Sequence, residues 1–472
     1  MDFLIVYPPP SIDPNVSHLV MPLGSLYLAD SLIKHGLTVS IIDDDIDTTK
    51  TNIDKLLSAH TIAIGISTLS GTQLENALTI ARYVRNRYPK TPLIWGGAHV
   101  TALPLQTLQS DLVDYVVWGE GEITLPLLLN AIRYKRSLRD IPGIGFKRNG
   151  VPTVTARSGY TPLEGVFDLP YHLLNMPKYA RKMNIGLERC FYIFSSRGCP
   201  FRCKFCSNPS EIWPNTTMRY HTIEHILADI ETLVTKYGAD GITFGDENFL
   251  VKENRFISIC EALLKADFGV KYRASARADL LCRLKKDTWD LMKRVGFIGI
   301  AVGIESGSQR MLDFMGKGIT LDQVRKIDSI LTRKRFYKTY NFMTCLPTET
   351  VQDVKDTLRL IVELAETSSY CPYPFGMLHK FIPLPGTELY KAASDYGFKP
   401  PCSIEGWTSF DVVDVSKNTD VVRPWLSQEM AIFVNRANEL IEELNVLFVG
   451  NNADKRAISE KMDAVLSFVK QE

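Results

Sequence analysis

The stretch that decides the fold of this chain is Arg197-Gly198-Cys199-Pro200-Phe201-Arg202-Cys203-Lys204-Phe205-Cys206, in which three cysteines have the spacing C-x3-C-x2-C. It comes just after the apolar run 191–194, which reads as a strand. A strand that ends in a loop with three thiolates can hold three irons of a four-iron cluster, because cysteines ligate such clusters. Two alternatives stay open here: three unrelated surface thiols, or a zinc knuckle whose nearest downstream fourth ligand is the distant His221.

The composition indicates a globular chain of two or three domains, with 472 residues, 45% hydrophobic and 23% charged. A net charge of +1 provides no broad field that would recruit nucleic acid or anionic lipid. The N-terminus lacks the basic start of a signal peptide, and no apolar run reaches the length of a membrane span. Nine cysteines, scattered apart from this triplet, fit a reducing compartment better than a disulfide framework, so we expect a cytoplasmic protein.

Residues 1–150 alternate short apolar strands with helical patterns, which predicts a doubly wound parallel sheet. Such sheets bind ligands at the carboxyl ends of their strands, and here those ends are rich in proline, glycine and serine. The predicted strands are Phe3–Tyr7, Leu37–Ile42, Thr61–Ser67, Pro92–Trp95 and Asp114–Trp118.

Residues 151–189 contain four prolines and little periodicity, which indicates a linker packed between domains. Residues 190–390 contain a second βα series of six strands, and residues 391–472 are predicted to be helical. The predicted strands are Phe191–Ser196, Gly241–Gly245, Lys271–Ala276, Ile298–Ile304, Thr339–Thr344 and Phe375–Ile382. Alternation along the third of them places Arg273, Ser275 and Arg277 on one face, which would suit a carboxylate or a ribose.

The cysteine stretch and the series after it resemble the radical SAM superfamily. The resemblance implies a six-unit partial TIM barrel in which Cys199, Cys203 and Cys206 hold a [4Fe-4S] cluster. S-adenosylmethionine (SAM) would chelate the open iron, and an electron from the cluster would cleave it to a 5′-deoxyadenosyl radical. Phe205 would lie against the adenine.

Further SAM contacts are implied at three strand ends, although no catalytic residue can be assigned. They are Gly245, Asp246 and Glu247, then Ser275 and Arg277, then Glu305 or Ser306. Two structural alternatives stay open: Asp246 as a helix N-cap, and salt bridges from the arginines to Asp246 or Glu305. After the fifth strand the family usually has Gly-Leu-Pro-Gly-Glu-Thr, whereas Cys345 and Thr348 replace the glycines here. We expect Cys345 to be a small buried residue rather than a catalytic thiol.

The N-terminal region resembles the cobalamin-binding domain that precedes many radical SAM cores. The matching segments are 21–28, 96–101 and 119–122. The resemblance implies cobalamin contacts from Pro9, Leu23, Ser67, Thr68, Gly97, Ala98, Gly119 and Glu120. The Asp-x-His-x-x-Gly motif of methionine synthase is absent, so no lower histidine ligand is implied, and we expect His99 to have an ordinary hydrogen-bonding role.

These features favour a cobalamin-dependent radical SAM methyltransferase acting on an unactivated carbon of a small metabolite. The alternative is a dehydratase, cyclase or rearrangement enzyme of the same build without methyl transfer. A cobalamin sensor would have no use for an open iron. A transfer RNA methylthiotransferase would need a second cysteine cluster, but the first cysteine is Cys190, so we expect one cluster. The expected partners are a small-molecule substrate and an external one-electron reductant of the flavodoxin or ferredoxin type, without nucleic acid.

Overall fold

The chain forms two compact units, each built around one seven-stranded sheet. The first unit combines Met1–Tyr179 with Lys399–Val422, and the second combines Ala180–Phe398 with Arg423–Glu472. The domain boundaries predicted from the sequence, at 150, 189 and 390, stay a prediction. The computed structural model describes residues 1–11, 21–165, 167–208, 212–213, 218–411, 423–449 and 455–470.

The sheet of the first unit has the order β2-β1-β3-β4-β5-β6-β7. Its strands are β1 Phe3–Val6, β2 Val39–Ile42, β3 Ala63–Ser67, β4 Leu93–Gly96, β5 Tyr115–Val117, β6 Ile144–Arg148 and β7 Val151–Val154. The first five are parallel, which confirms the predicted doubly wound core. Their carboxyl ends therefore meet at one edge of the sheet.

Strands β6 and β7 form an antiparallel hairpin that extends the sheet beyond β5. This hairpin was not predicted from the sequence, and β7 lies in the segment predicted to be a linker. The signal was present in Asn149-Gly150, since both residues have positive φ, 50° and 80°. Asn-Gly between two strand-forming runs is a strong hairpin signal.

Helices join the strands of the first unit and bury their apolar faces on the sheet. Helix α1, for example, buries Leu26, Ala29 and Leu32 completely. The helices are α1 Leu23–Lys34, α2 Ile46–Leu56, α3 Thr72–Arg87, α4 Ala98–Ala102, α5 Pro104–Thr107 and α6 Gly121–Arg133.

The sheet of the second unit has the order β16-β15-β14-β13-β12-β9-β8, and a separate two-stranded ribbon pairs β10 with β11. The strands are β8 Arg181–Met183, β9 Leu187–Ile193, β10 Ser196–Arg197, β11 Arg219–Tyr220, β12 Gly241–Phe244, β13 Lys271–Ala276, β14 Phe297–Glu305, β15 Tyr337–Thr344 and β16 Phe375–Lys380. Six strands of the large sheet are parallel, which confirms the predicted six-unit half-barrel. Strand β8 adds an antiparallel edge inside the predicted linker.

Amphipathic helices cover the outer face of this half-barrel. The first runs over Ile223–Tyr237, with the Thr222 side chain capping its N-terminus and the left-handed Gly238 ending it. Its buried Ile226, Ile230 and Leu233 each contribute about 1.5–3 kcal/mol by leaving water. The helices are α7 Ile223–Tyr237, α8 Glu253–Ala266, α9 Ala278–Leu281, α10 Lys286–Val295, α11 Gln309–Phe314, α12 Leu321–Arg333, α13 Val351–Ala365, α14 Glu388–Ala393, α15 Gln428–Val446 and α16 Lys455–Lys470.

The helical C-terminal region is confirmed by α15 and α16. The segment Lys399–Val422, which precedes α15, belongs to the first unit. In this segment a short 3-10 helix over Ile404–Ser409 packs on the loop after β3. In that contact Gly71 donates its backbone N–H to Trp407, and Thr72 donates its own to Asp411 at 2.8 Å. Within the described residues, no helix combines the length and the apolar character needed to cross a membrane.

Candidate cluster and cofactor sites

The cysteine loop follows β9 and is fixed by backbone hydrogen bonds. Gly198 has a φ of 95°, a conformation that favours glycine, and turns the chain into the loop. The Cys206 N–H donates to the Cys203 carbonyl at 3.0 Å. Lys204 donates its N–H to Met315 at 2.9 Å and accepts one from Leu389 at 3.0 Å. The loop is therefore held from both sides before any cluster binds.

The three thiols of this loop lie close enough together to influence one another electrostatically. Burial raises the pKa of Cys206 to about 11, and the neighbouring Cys203 and Cys199 also raise it. Burial likewise raises the pKa of Cys199. Three thiols on one short loop suit an iron–sulfur cluster better than a structural zinc site, which takes four protein ligands. The ring of His221, the distant zinc alternative, packs instead on His225, with 4.4 Å between the ring centroids.

Arg277 links this loop to the barrel. Its Nη1 donates to the Cys203 sulfur at 3.5 Å, and its guanidinium lies 3.8 Å from the Phe201 ring centroid. Its Nε donates to Asp279 at 2.9 Å, and Nη2 donates to the Lys317 carbonyl. Strand β13 ends at Ala276, so Arg277 leaves the strand face on which alternation had placed it and turns to the cluster loop. It pairs with neither Asp246 nor Glu305.

The two carboxylates after β12, Asp246 and Glu247, have different surroundings. Asp246 is buried and accepts hydrogen bonds from the Ser195 N–H at 3.1 Å, the Ser195 hydroxyl at 2.8 Å and the Ser196 hydroxyl. It therefore braces the start of the cysteine loop instead of capping a helix. Burial raises the pKa of Asp246, while these hydrogen bonds oppose the shift. Glu247 is exposed, and its carboxylate accepts hydrogen bonds from the Gly198 backbone and the Asn208 side chain.

Glu305 and Ser306, which the sequence could not separate, have different surroundings. Glu305 has a φ of 74° and stands at a register shift between β14 and β15. Its carboxylate accepts from Lys317 Nζ at 2.7 Å, and that ammonium lies 6.0 Å from the Phe205 ring centroid. Ser306 is fully buried and lies 3.3 Å from the Thr357 hydroxyl. A strained non-glycine residue at a strand end is typical of a functional site, which favours Glu305.

Lys317 is a site residue that the sequence analysis missed. It stands between Gly316 and Gly318, whose φ values are 62° and 66°. The sequence pattern that could have indicated Lys317 is a basic residue between two glycines. Glycines permit a tight backbone turn, and such a turn can direct the side chain between them towards a site. Two other predicted SAM contacts lie at neighbouring strand ends. Gly245 lies beside the Phe194 ring, and Ser275 is half-buried with its carbonyl accepting from the Phe249 N–H at 3.4 Å.

The two positions where this chain replaces the glycines of the related segment keep a glycine-like backbone. Cys345 has a φ of 61° and Thr348 has a φ of 67°. Cys345 is buried, and burial raises its pKa to about 12, so its thiol stays protonated. The Cys345 carbonyl accepts from Trp425 Nε1 at 3.0 Å. These contacts give Cys345 the structural role expected from the sequence.

We expect Thr348→Gly to raise the free energy of unfolding by up to about 1 kcal/mol, because a β-branched residue in the left-handed region is strained and Thr348 is exposed. The matched control is Thr235→Gly, at an exposed position inside α7, which should lower stability by roughly 0.4 kcal/mol. Chemical denaturation of the three proteins measures both changes. If Thr348→Gly lost as much stability as the control, the inference that the backbone of Thr348 is strained would be wrong.

The predicted cobalamin contacts of the first unit follow the carboxyl ends of adjacent strands. The Thr68 N–H donates to the Gly96 carbonyl at 2.9 Å, and the Gly119 N–H donates to the Thr101 hydroxyl at 3.1 Å. Glu120 accepts from the Thr161 N–H at 2.6 Å. Gly97 and Ala98 are exposed, Leu23 and Thr68 are buried, and Pro9, Ser67, Gly119 and Glu120 are half-buried. The structure thus brings these loops to one edge of the sheet.

This edge offers an open surface of small residues. Gly97 and Ala98 are exposed side by side, and a Cβ added at Gly24, at the start of α1, would meet no atom within 4 Å. The indole Nε1 of Trp118, in the loop after β5, is buried without a hydrogen-bond partner among the described residues. Small residues and an available donor along neighbouring strand ends fit a broad macrocycle such as the corrin ring of cobalamin.

His99 lies beside this edge but faces the protein. It is buried, its Nδ1 lies 2.9 Å from the Ser70 hydroxyl, and its ring centroid lies 6.1 Å from that of Trp407. Burial lowers its pKa to about 4, so the ring is neutral at physiological pH. This is the ordinary hydrogen-bonding role predicted for His99, and it leaves no imidazole nitrogen on the exposed surface.

Family models match both halves of the chain. The radical SAM superfamily model matches residues 193–361, and the B12 binding domain model matches residues 14–129. The first range contains the cysteine loop and the strand ends described above. The second contains the loops at the edge of the first sheet except the one with Pro9, which precedes the matched range.

Individual proteins resemble the chain over most of its length. An uncharacterised methyltransferase of Pyrococcus horikoshii is 31% identical over 81% of this chain and 83% of that protein. The anaerobic magnesium-protoporphyrin IX monomethyl ester cyclase of Rubrivivax gelatinosus is 26% identical over 76% of this chain and 65% of that protein. The structure of the radical S-adenosylmethionine methyltransferase TsrM from Kitasatospora setae has a TM-score of 0.68 at 14% identity and covers 100% of both chains, which shows a shared fold.

Proposed function

This chain belongs to the radical SAM superfamily and carries a B12-binding domain before its radical SAM core, and we propose that it methylates an unactivated carbon of a small metabolite. When bound, the [4Fe-4S] cluster supplies the electron that cleaves SAM to a 5′-deoxyadenosyl radical, and cobalamin supplies the methyl group. The chain itself binds both cofactors, orients the substrate and excludes water. The methyltransferase of Pyrococcus horikoshii, which aligns over most of both chains, supports methyl transfer.

The observation that carries this proposal is the arrangement at the mouth of the half-barrel. A cysteine loop braced by Arg277 stands beside the strained Glu305 and its partner Lys317. We assign Cys199, Cys203 and Cys206 as cluster ligands. The SAM contacts are assigned to Phe205, Gly245, Glu247, Ser275 and Glu305. Asp246, Arg277 and Ser306, also predicted as SAM contacts, become positioning residues because they are buried and their polar atoms are engaged with the protein, whereas Glu247 is exposed and Glu305 is half-buried.

For cobalamin, we assign the contacts predicted from the resemblance, because they stand on loops that meet at one edge of the first sheet. They are Pro9, Leu23, Ser67, Thr68, Gly97, Ala98, Gly119 and Glu120. The buried Thr68 contributes through its backbone position, since its hydroxyl donates to the Gly96 carbonyl at 3.0 Å. His99 supplies no cobalt ligand in this assignment.

The partners follow from the same proposal. The substrate is a small molecule, and the cluster needs an external one-electron reductant of the flavodoxin or ferredoxin type. We expect no nucleic acid partner, because the chain has 54 basic and 53 acidic residues and therefore a net charge of only +1. The reaction is expected to take place in the cytoplasm, where cysteines stay reduced.

A second candidate is a cyclase, dehydratase or rearrangement enzyme of the same build, which would use SAM only as the radical source. The likeness to the Rubrivivax gelatinosus cyclase favours it, although this chain spans only 65% of that protein. The two candidates differ in the fate of the SAM methyl group.

A turnover with SAM labelled in its methyl group separates the two candidates. We expect 5′-deoxyadenosine and S-adenosylhomocysteine in near-equal amounts, with label in the product, because one SAM supplies the radical and another restores the methyl group on the cofactor. Enzyme produced without cobalamin is the control and should release no labelled product. An unlabelled product, formed with 5′-deoxyadenosine but without S-adenosylhomocysteine, would support the second candidate.

A further inference from the structure

Two arginines of the second unit, one on β13 and one on β8, lie close together. Arg273 on β13 contacts Met183 of β8, and Arg181 stands two residues before Met183 on that strand. Arg181 in turn donates a hydrogen bond to Tyr192, which lies in register with Arg273 across Thr243 of β12, so the two guanidinium groups are neighbours. Both are half-buried. We call them the arginine pair.

The side chain of Arg273 lies on the concave face of the sheet. Its neighbours Tyr272 and Ala274 are buried on the opposite face. Arg273 crosses β14 at Gly299, where an added Cβ would stand 2.8 Å from its Nε. It reaches Thr339 on β15 in one direction and Met183 on β8 in the other. Since β15 and β8 lie on opposite sides of β13 in the strand order, the guanidinium lies inside the curve of the half-barrel.

The charge of Arg273 is poorly satisfied by the protein. Its Nη1 lies 3.3 Å from the Met183 sulfur, which is a weak acceptor, and its Nη2 lies 3.5 Å from the Thr339 hydroxyl, at the limit of a hydrogen bond. Its Nε is buried without a partner among the described residues. No carboxylate of the described chain forms an ion pair with it.

Arg181 adds a second cation without an acidic partner. Its Nη1 donates to the Tyr192 hydroxyl at 2.6 Å, and its guanidinium lies 5.6 Å from that ring centroid. Among the described residues, no acidic group forms an ion pair with it. Two neighbouring guanidinium groups repel each other, and a partly buried charge is costly unless an opposite charge compensates it. The arrangement is therefore incomplete without an anion.

We propose that the substrate carries an anionic group, a carboxylate or a phosphate, which binds the arginine pair inside the half-barrel. This inference rests on the proposed function, because it assigns a chemical group to the part of the substrate that lies away from the reacting carbon. Guanidinium groups bind both oxyanions through paired N–H donors. Arg273 precedes Arg277, which touches the cluster loop, by four residues, or about 13 Å along a strand. The anionic group would therefore anchor the substrate well below the site of radical formation.

Titration of the reconstituted full chain with simple probes tests the proposal. The probes are inorganic phosphate, malonate and the neutral analogue malonamide, and the readout is the dissociation constant from calorimetry. We expect saturable binding of at least one anion, and weaker binding of malonamide. Tighter binding of phosphate than of malonate identifies a phosphate substrate, and the reverse order identifies a carboxylate. If neither anion binds the wild type saturably, the proposal is overturned.

Variants locate the binding. Arg273→Met and Arg181→Met should each weaken binding of the preferred anion by about tenfold or more, because each removes charged hydrogen bonds. Arg456→Met is the control, since its side chain is 87% exposed on α16 and it should bind as the wild type does. Iron content and thermal unfolding establish that the variants fold. If Arg273→Met does not fold, Arg181→Met alone tests the proposal. Unchanged affinity in a folded variant of the pair overturns the proposal.

The proposed function is tested separately in the same preparations by the formation of 5′-deoxyadenosine from SAM and a reductant in the wild type. If the wild type cleaves no SAM, the proposed function fails, whereas the anion titration still decides whether the arginine pair binds an oxyanion. If it cleaves SAM but binds no anion, only this inference fails.

Discussion

Replacement of any one of Cys199, Cys203 and Cys206 by alanine is expected to abolish formation of 5′-deoxyadenosine from SAM. The three cysteines stand on one short loop, and Arg277 contacts the sulfur of Cys203 directly. Three thiolates are needed to leave a single open iron at which SAM can bind, so two thiolates cannot hold the cluster in the same state. Anaerobic reconstitution followed by chromatographic measurement of 5′-deoxyadenosine tests each variant.

Cys260→Ala is the matched control for the cysteine variants. Cys260 is fully buried in α8, and burial raises the pKa of its thiol, so it contributes packing rather than a ligand. Its loss should leave the iron content unchanged even if it lowers stability. Retained SAM cleavage in any of the three loop variants would show that the loop does not hold the catalytic cluster.

Arg277→Lys is expected to lower SAM cleavage by about tenfold to a hundredfold, the usual cost of disturbing a residue that orients metal ligands. Lysine keeps the charge but cannot at once contact the Cys203 sulfur, Asp279 and the Lys317 carbonyl, as the guanidinium does. We also expect a lower midpoint potential of the cluster, because hydrogen bonds to the sulfurs stabilise the reduced state. Redox titration measures that potential.

The control for this variant is Arg283→Lys, whose side chain is 73% exposed and lies 3.8 Å from the same Asp279. It should change neither the rate nor the potential. A purely structural role of Arg277 would lower the amount of folded protein but leave the potential of the remaining cluster unchanged. An unchanged potential in Arg277→Lys would therefore rule out the contact with the cluster.

The sequence was sufficient for the elements that have a clear period or motif. The parallel strands of both sheets were predicted within a few residues, and β13 was predicted with the observed ends. Buried parallel strands are apolar on both faces, and this pattern is strong over short distances. The cysteine spacing likewise indicated the cluster loop without any knowledge of the fold.

What the sequence could not give depends on backbone geometry and on distant contacts. The choice between Glu305 and Ser306 needed the register shift at the end of β14, which reverses the simple alternation of side chains. The direction of Arg277 needed the end of β13 at Ala276. Within the first unit, the packing of the Ile404–Ser409 helix on the N-terminal segment joins residues more than 300 positions apart, as in the hydrogen bond from Trp407 to Gln106. No local pattern encodes such a contact.

The most direct test of the central claim, that one chain holds both cofactors, is the metal content of a single preparation. Protein produced anaerobically with hydroxocobalamin and then reconstituted should contain about four irons and about one cobalt per chain, with the visible absorption of cobalamin. His99→Ala should retain the cobalt, because the buried His99 faces Ser70. A full complement of iron without cobalt in the wild type would contradict the account, since the radical core would then work without a methyl carrier.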